Sequence, residues 1–136
     1  MSLKTELHNY LSGYAGLSAL VDDNIYPDIA PENSPLPYVI FQIVSADHIR
    51  SMTAASDFVA RRVQFDVYGS TALSVENVFD QLRGALEAKR GTIGSENLVV
   101  LSSGIDTERD DYVDPIDGSQ TGKHRRTIDF IIWHRL

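Results

Sequence analysis

The chain has 136 residues of ordinary globular composition, 43% hydrophobic and 23% charged, which suits a single domain spanning residues 1–136. A domain of this size buries roughly two-thirds of its unfolded surface and needs no metal or disulfide staple. The net charge of −7 and a pI near 4.9 argue against a non-specific nucleic-acid groove, and Cys 0 excludes a disulfide framework, a thiolate nucleophile and a cysteine metal site.

The opening residues, Met1 to Glu6, lack the apolar core of a signal peptide, and no apolar run approaches the ~20 residues that span a bilayer. The expectation is a protein kept in solution in a reducing compartment, with no membrane partner and no sequence-specific nucleic acid. Leu3, Leu7, Tyr10, Leu11 and Tyr14 recur at helical spacing, and Gly16 to Val21 reads as a short further turn of helix. Pro27, Pro31, Pro35 and Pro37 then predict an irregular loop from Tyr26 to Pro37, because proline fixes φ and pushes its predecessor to extended geometry.

Tyr38 to Ser45 is rich in β-branched and aromatic residues and predicts a strand. A second runs from about Phe58 to Tyr68, with Val59, Val63, Phe65 and Val67 alternating against Arg62, Gln64, Asp66 and Tyr68. Between them, Ala46 to Asp57 reads as a long polar connection. Gly69-Ser70-Thr71 ends the strand and offers a helix N-cap. Val75, Val78, Phe79, Leu82, Ala85 and Leu86 form an amphipathic helix, with Lys89 and Arg90 at its end and Gly91 and Gly94 terminating it. Leu98 to Leu101 and Thr127 to Trp133 complete the strands, the last with Ile128, Phe130 and Ile132 on one face. The order α-β-β-α-β-β predicts an α+β layer: an antiparallel sheet of about four strands with two main helices on one face.

The acidic stretch 106–117 places Asp106, Glu108, Asp110, Asp114 and Asp117 at the ligand spacing of a calcium loop. Asp111 stands where the sharp turn needs glycine, however, and Asp117 where a longer bidentate Glu is needed. The segment therefore reads as a solvated acidic excursion between strands. Gly118 to His124 imitates a phosphate loop but is one residue short, has His124 at the magnesium-binding position, and leads into a strand. His8, His48, His124 and His134 form no metal pair at helical spacing, and no Gly-x-Ser-x-Gly elbow is present. The expectation is no catalytic residue, no metal and no cofactor. Trp133, the arginine pairs and the two long polar excursions are instead the material of protein interfaces.

Several tracts, taken together, resemble one family. They are Leu17 to Val21, Ile25-Tyr26-Pro27, Pro35 to Gln42, Arg62 to Tyr68, Glu108 to Tyr112 and His124 to Trp133. In this order and spacing they are similar to the tail-completion proteins of long-tailed bacteriophages and prophages. The resemblance implies a structural, cofactor-free subunit, not an enzyme, that caps the tail tube and takes part in head–tail joining. It implies a ring of copies, often six, and as further partners the tail tube protein and the head connector protein. The expected location is the head-proximal end of the virion tail, after a period in the host cytoplasm. Candidate interface residues are Ser51 and Ser56, the acidic Asp106, Glu108, Asp110 and Asp111, and the basic Lys123, Arg125 and Arg126. Opposite signs on the last two groups suggest that one subunit's acids meet the next subunit's bases. The alternatives are a protein-binding module of a non-phage system with the same fold, or a small metal-dependent enzyme using the acidic loop.

Overall fold

Four long strands organise the molecule. The computed structural model describes residues 2–31, 34–50, 55–94, 98–113 and 122–135. In chain order the elements are α1 (Leu3–Ser12), α2 (Ala15–Val21), β1 (Ile25–Pro27), β2 (Tyr38–Arg50), β3 (Ala55–Gly69), α3 (Ala72–Leu86), β4 (Gly91–Ile93), β5 (Leu98–Val113) and β6 (Lys123–Arg135). The strands form one curled six-stranded sheet, a half-barrel, in the order β1-β2-β3-β6-β5-β4. β1 runs parallel to β2, and the remaining neighbours are antiparallel. β6, the last strand in sequence, thus lies in the middle of the sheet.

This corrects the expected α+β layer of about four antiparallel strands and two main helices. The sheet is mixed and has six strands, and three helices accompany it. Two strands escaped the sequence because β1 and β4 are 3 residues each, too short for alternation to register. The others are longer than expected: β2 continues past Ser45 to Arg50, and β5 past Leu101 to Val113. Ser45 to His48 of β2 and Asp106 to Tyr112 of β5 are exposed on both faces, so no apolar alternation marks them. The acidic excursion is therefore strand as far as Val113, and Asp114 and Asp117 lie outside the described residues.

The core sits between the helices and one face of the sheet. Val63, Phe65 and Val67 of β3 and Ile128, Phe130 and Ile132 of β6 share that face, and all are buried. Phe65 joins Phe41 (ring centroids 5.7 Å) to Phe130 (5.5 Å), so an aromatic row crosses three strands. The stripe Val75, Val78, Phe79, Leu82, Ala85 and Leu86 of α3 belongs to the same buried cluster, with Leu7 and Leu11 of α1 and Leu17 of α2. α3 packs its stripe on the sheet face carrying Val63, Phe65, Ile128 and Phe130.

Thr71 caps α3 as its position predicted: its hydroxyl oxygen accepts from the Ser74 amide at 3.1 Å. The helix stops earlier than expected, at Leu86, because Glu87 is extended and Ala88 takes φ 58°, leaving Lys89 and Arg90 outside it. Gly94, at φ +75°, lies against the buried Glu6 carboxylate, where a Cβ would collide with it.

Candidate assembly surfaces

Helix and strand lengths do not match, and that mismatch creates the exposed surfaces. A 15-residue helix such as α3 spans about 22 Å, whereas strands of 13 to 16 residues span about 43–53 Å. The helices therefore cover only part of the sheet. Phe58 lies opposite Arg135 at one end, and Gly69 lies opposite His124 at the other. The β2–β3 pairing runs past the first end as far as Ala55; toward the second, β5 continues beyond the cover of β4 from Asp106 to Val113, and this exposed length, with the β6 residues paired to it, forms the β5–β6 overhang.

The β5–β6 overhang carries most of the candidate interface residues. Register places Asp110 opposite Arg126 and Asp111 opposite Arg125. Arg126 Nε donates to Asp110 Oδ1 at 2.6 Å, and Arg125 Nε donates to Asp111 Oδ1 at 2.8 Å. The acids and bases thus meet within one chain. Arg125 holds the Asp111 carboxyl below its ordinary range, chiefly through this hydrogen bond. Arg126 is only 17% exposed, because its guanidinium also lies over the Phe79 ring, 4.7 Å from the centroid. With Ala72, Val75, Glu76 and His124 these residues line a cleft of about 160 Å³ beside the start of α3. Glu108 and Arg109 are exposed on the same overhang. Ser51 lies outside the described residues, and Ser56 is placed as a backbone position of β3.

Side chains at successive strand positions alternate between faces, which sets what the outer face carries. Arg62 bridges Asp106 (2.8 Å) and Asp129 (3.1 Å), tying β3 to β5 and β6 where the acidic overhang begins. Thr127 donates to Asp66 at 2.7 Å. Below this belt Tyr38 stacks on Tyr68, centroids 4.9 Å apart, and Lys123 lies over both rings and donates to the Tyr38 hydroxyl at 3.1 Å. Arg125 adds a second cation over Tyr68. At the opposite end Trp133 is 37% exposed beside Ala60 and Ser102. Lys123 and Arg125 are therefore anchored to aromatic rings rather than standing free.

Of the carboxylates expected at calcium-ligand spacing, Asp106, Glu108 and Asp110 are strung along an extended strand, and Asp106 and Asp110 are each paired with an arginine. Among the described residues no group of His, Cys, Asp or Glu is placed to hold a metal ion. Sequence reasoning missed His134, which is buried in β6. Its Nε2 accepts from Arg61 Nε at 3.0 Å, so the proton sits on Nδ1 and is donated to the Arg135 carbonyl at 2.8 Å. Burial pushes its pKa down, and the adjacent Arg61 charge adds to the effect. A polar residue at a core-facing strand position was the available signal.

These surfaces are set on a curled six-stranded sheet with three helices, one face of which is packed into the core. Residues 5–135 match the family model described as Tail completion protein gp17, and the chain belongs to that family of structural phage proteins. No curated protein matches the sequence. The fold is similar to a chain in a solved structure described as the virion of a native gene transfer agent particle. That likeness has a TM-score of 0.77 at 16% identity and covers 99% of this chain and 96% of that one. A second solved structure aligns at TM-score 0.46 and 16% identity, over 87% of this chain and 91% of that chain, too loosely to argue from.

Proposed function

We propose that the chain is a ring subunit that caps the tail tube and takes part in joining the filled head to the tail. The observation that carries this reading is the family match over residues 5–135, nearly the whole chain. The geometry suits the role. A subunit that closes a tube needs neighbours on two sides and partners above and below, and exposed strand lengths in β2 and β5, toward opposite ends of one sheet, are available for such contacts. The proposed contact surfaces include Ser51 and Ser56 and the β5–β6 overhang, with Asp106, Glu108, Asp110, Asp111, Lys123, Arg125 and Arg126. Because Asp110 and Asp111 are already engaged within the subunit, a neighbour's bases gain less from them than their charge implies. The proposed partners are further copies of the chain, the tail tube protein and the head connector protein, at the head-proximal end of the tail.

The test is deletion of the gene in a phage or prophage that carries it, followed by complementation. The expected result is unjoined heads and tails, or tails of abnormal length, with wild-type particles restored from a plasmid copy. Normal infectious particles after deletion sink the proposal.

A further inference from the structure

The two edges of the sheet are covered only in part. β1 pairs with Val39 to Phe41 of β2, and β4 pairs with Leu98 to Val100 of β5. Just beyond β4, Ala88 donates to the Ser103 carbonyl at 2.8 Å and Ile105 donates to the Glu87 carboxylate at 3.1 Å, which closes β5 as far as Ile105. Among the described residues nothing pairs with the outward side of β2 from Gln42 to Arg50 or of β5 from Asp106 to Val113. Unpaired strand edges are templates for another chain. These two lie on opposite edges of one sheet and toward opposite ends of it.

We propose that copies of this chain join head to tail by strand addition, the free edge of β2 in one copy pairing antiparallel with the free edge of β5 in the next. The proposal rests on the ring reading above and names the surface that closes the ring. One register is selected by charge. Asp47 lies opposite Ala60 and Arg109 opposite Thr127, so both occupy the outer face; His48 lies opposite Val59 and Glu108 opposite Ile128, so both occupy the helix-bearing face. Setting Asp47 opposite Arg109 automatically sets His48 opposite Glu108, and both faces of the sheet then continue across the joint. Each of these residues is exposed and makes no ion pair with a described residue. The same register brings Ser45 and Ala46 opposite Asp111 and Asp110, whose charges Arg125 and Arg126 already balance. Just outside this ladder it brings the bulged Val44 (51% exposed) toward Tyr112 (52%), two of the molecule's exposed large hydrophobics.

Slipping by two residues is the smallest shift that preserves the faces. In one direction it sets Asp47 against Thr107, and in the other against Asp111, acid facing acid. Two β5 edges paired with each other would likewise bring acidic strands together. The β2 bulge after Ile43 and the β5 bulge before Thr107 bound the regular ladder, leaving Ser45 to His48 free to pair with Glu108 to Asp111. Because the free segments lie at opposite ends of the sheet, each added copy is staggered along the strands. A closed sheet built this way has tilted strands.

The test uses the absence of native cysteine, since Cys 0 makes any engineered thiol unique. Directly opposite residues of an antiparallel pair have Cα atoms about 4.5–5.5 Å apart, within disulfide range. Mild oxidation of the Asp47→Cys/Arg109→Cys double variant, mixed with purified tail tubes, should give a ladder of covalent oligomers that ends at a closed ring. Either single variant should give none, and Asp47→Cys with Glu108→Cys should give little, because those positions point to opposite faces. As a second measurement, Asp47→Arg should weaken association roughly twofold to fivefold per contact, the range for an exposed pair. Combining it with Arg109→Asp should restore the loss. Rings seen by native mass spectrometry without the cross-link overturn the edge pairing and leave the ring intact. Dimers from Asp47→Cys alone overturn it in favour of a two-fold contact. A chain that stays monomeric with tail tubes present overturns both readings.

Discussion

His134 couples protonation to stability at the scale of one residue. Its pKa in the fold lies below its ordinary value of 6.5, because burial and Arg61 both disfavour the imidazolium. Between the two values the unfolded chain binds more protons than the fold, so stability rises with pH across that window. The contribution is complete above pH 6.5 and is lost as pH falls toward the folded-state pKa. Urea unfolding at pH 8 and pH 5 should show a lower midpoint at pH 5, and His134→Gln should flatten that part of the difference. An unchanged pH dependence in the variant counts against the role. Arg126 is the second informative residue. It packs over Phe79 as well as meeting Asp110, and a cation over an aromatic ring contributes about 0.5–1 kcal/mol even where partly exposed. Arg126→Ala should therefore lower stability by about 1 kcal/mol by chemical denaturation, whereas Lys4→Ala, which breaks an exposed pair with Asp28, should change it by less than half as much.

At the scale of the element, α3 is the part whose sequence said most. Its apolar stripe and Thr71 cap were legible because a helix lying on a sheet buries one face along its whole length. Leu82 is fully buried in that stripe, and Leu82→Ala should cost about 2–5 kcal/mol, read as a drop in the denaturation midpoint at constant slope. A loss below 1 kcal/mol means the site collapses around the cavity. The central stretches of β2, β3 and β6 were legible for the same reason as α3. The overhangs were not. Ser45 to His48 and Asp106 to Tyr112 are exposed on both faces, and a strand with no buried face writes no alternation. The candidate site was half visible: Asp110, Asp111, Arg125 and Arg126 stood out as charges. Their pairing within one subunit required the register of β5 on β6, which depends on residues far apart in sequence.

At the scale of the whole molecule, the described residues leave free edges along β2 and β5, where most small domains present blunted ones. Hydrogen exchange reads this directly. In the free subunit, amides of Asp106 to Val113 that point away from β6 should exchange far faster than those of Thr127 to Ile132, which lie between two strands. On assembly the β5 amides and those of Gln42 to His48 should slow together, because one ladder protects both. Slowing of one segment without the other is inconsistent with a joint between these two edges.

The central place of β6 also bears on when the sheet can be made. The ribosome delivers β2, β3, β4 and β5 before it delivers Lys123–Arg135, yet that last strand separates β3 from β5. Until it emerges, the nascent chain holds a β1-β2-β3 portion and a β4-β5 portion with nothing to bridge them. Phe65 and Val63 meanwhile lack the Ile128 and Phe130 that lie opposite them in the finished fold. Such intermediates expose apolar strands and are prone to aggregate. Folding is therefore delayed until Lys123–Arg135 has been made, and a ribosome stalled before Lys123 should hold a protease-sensitive chain that becomes resistant once β6 clears the exit tunnel.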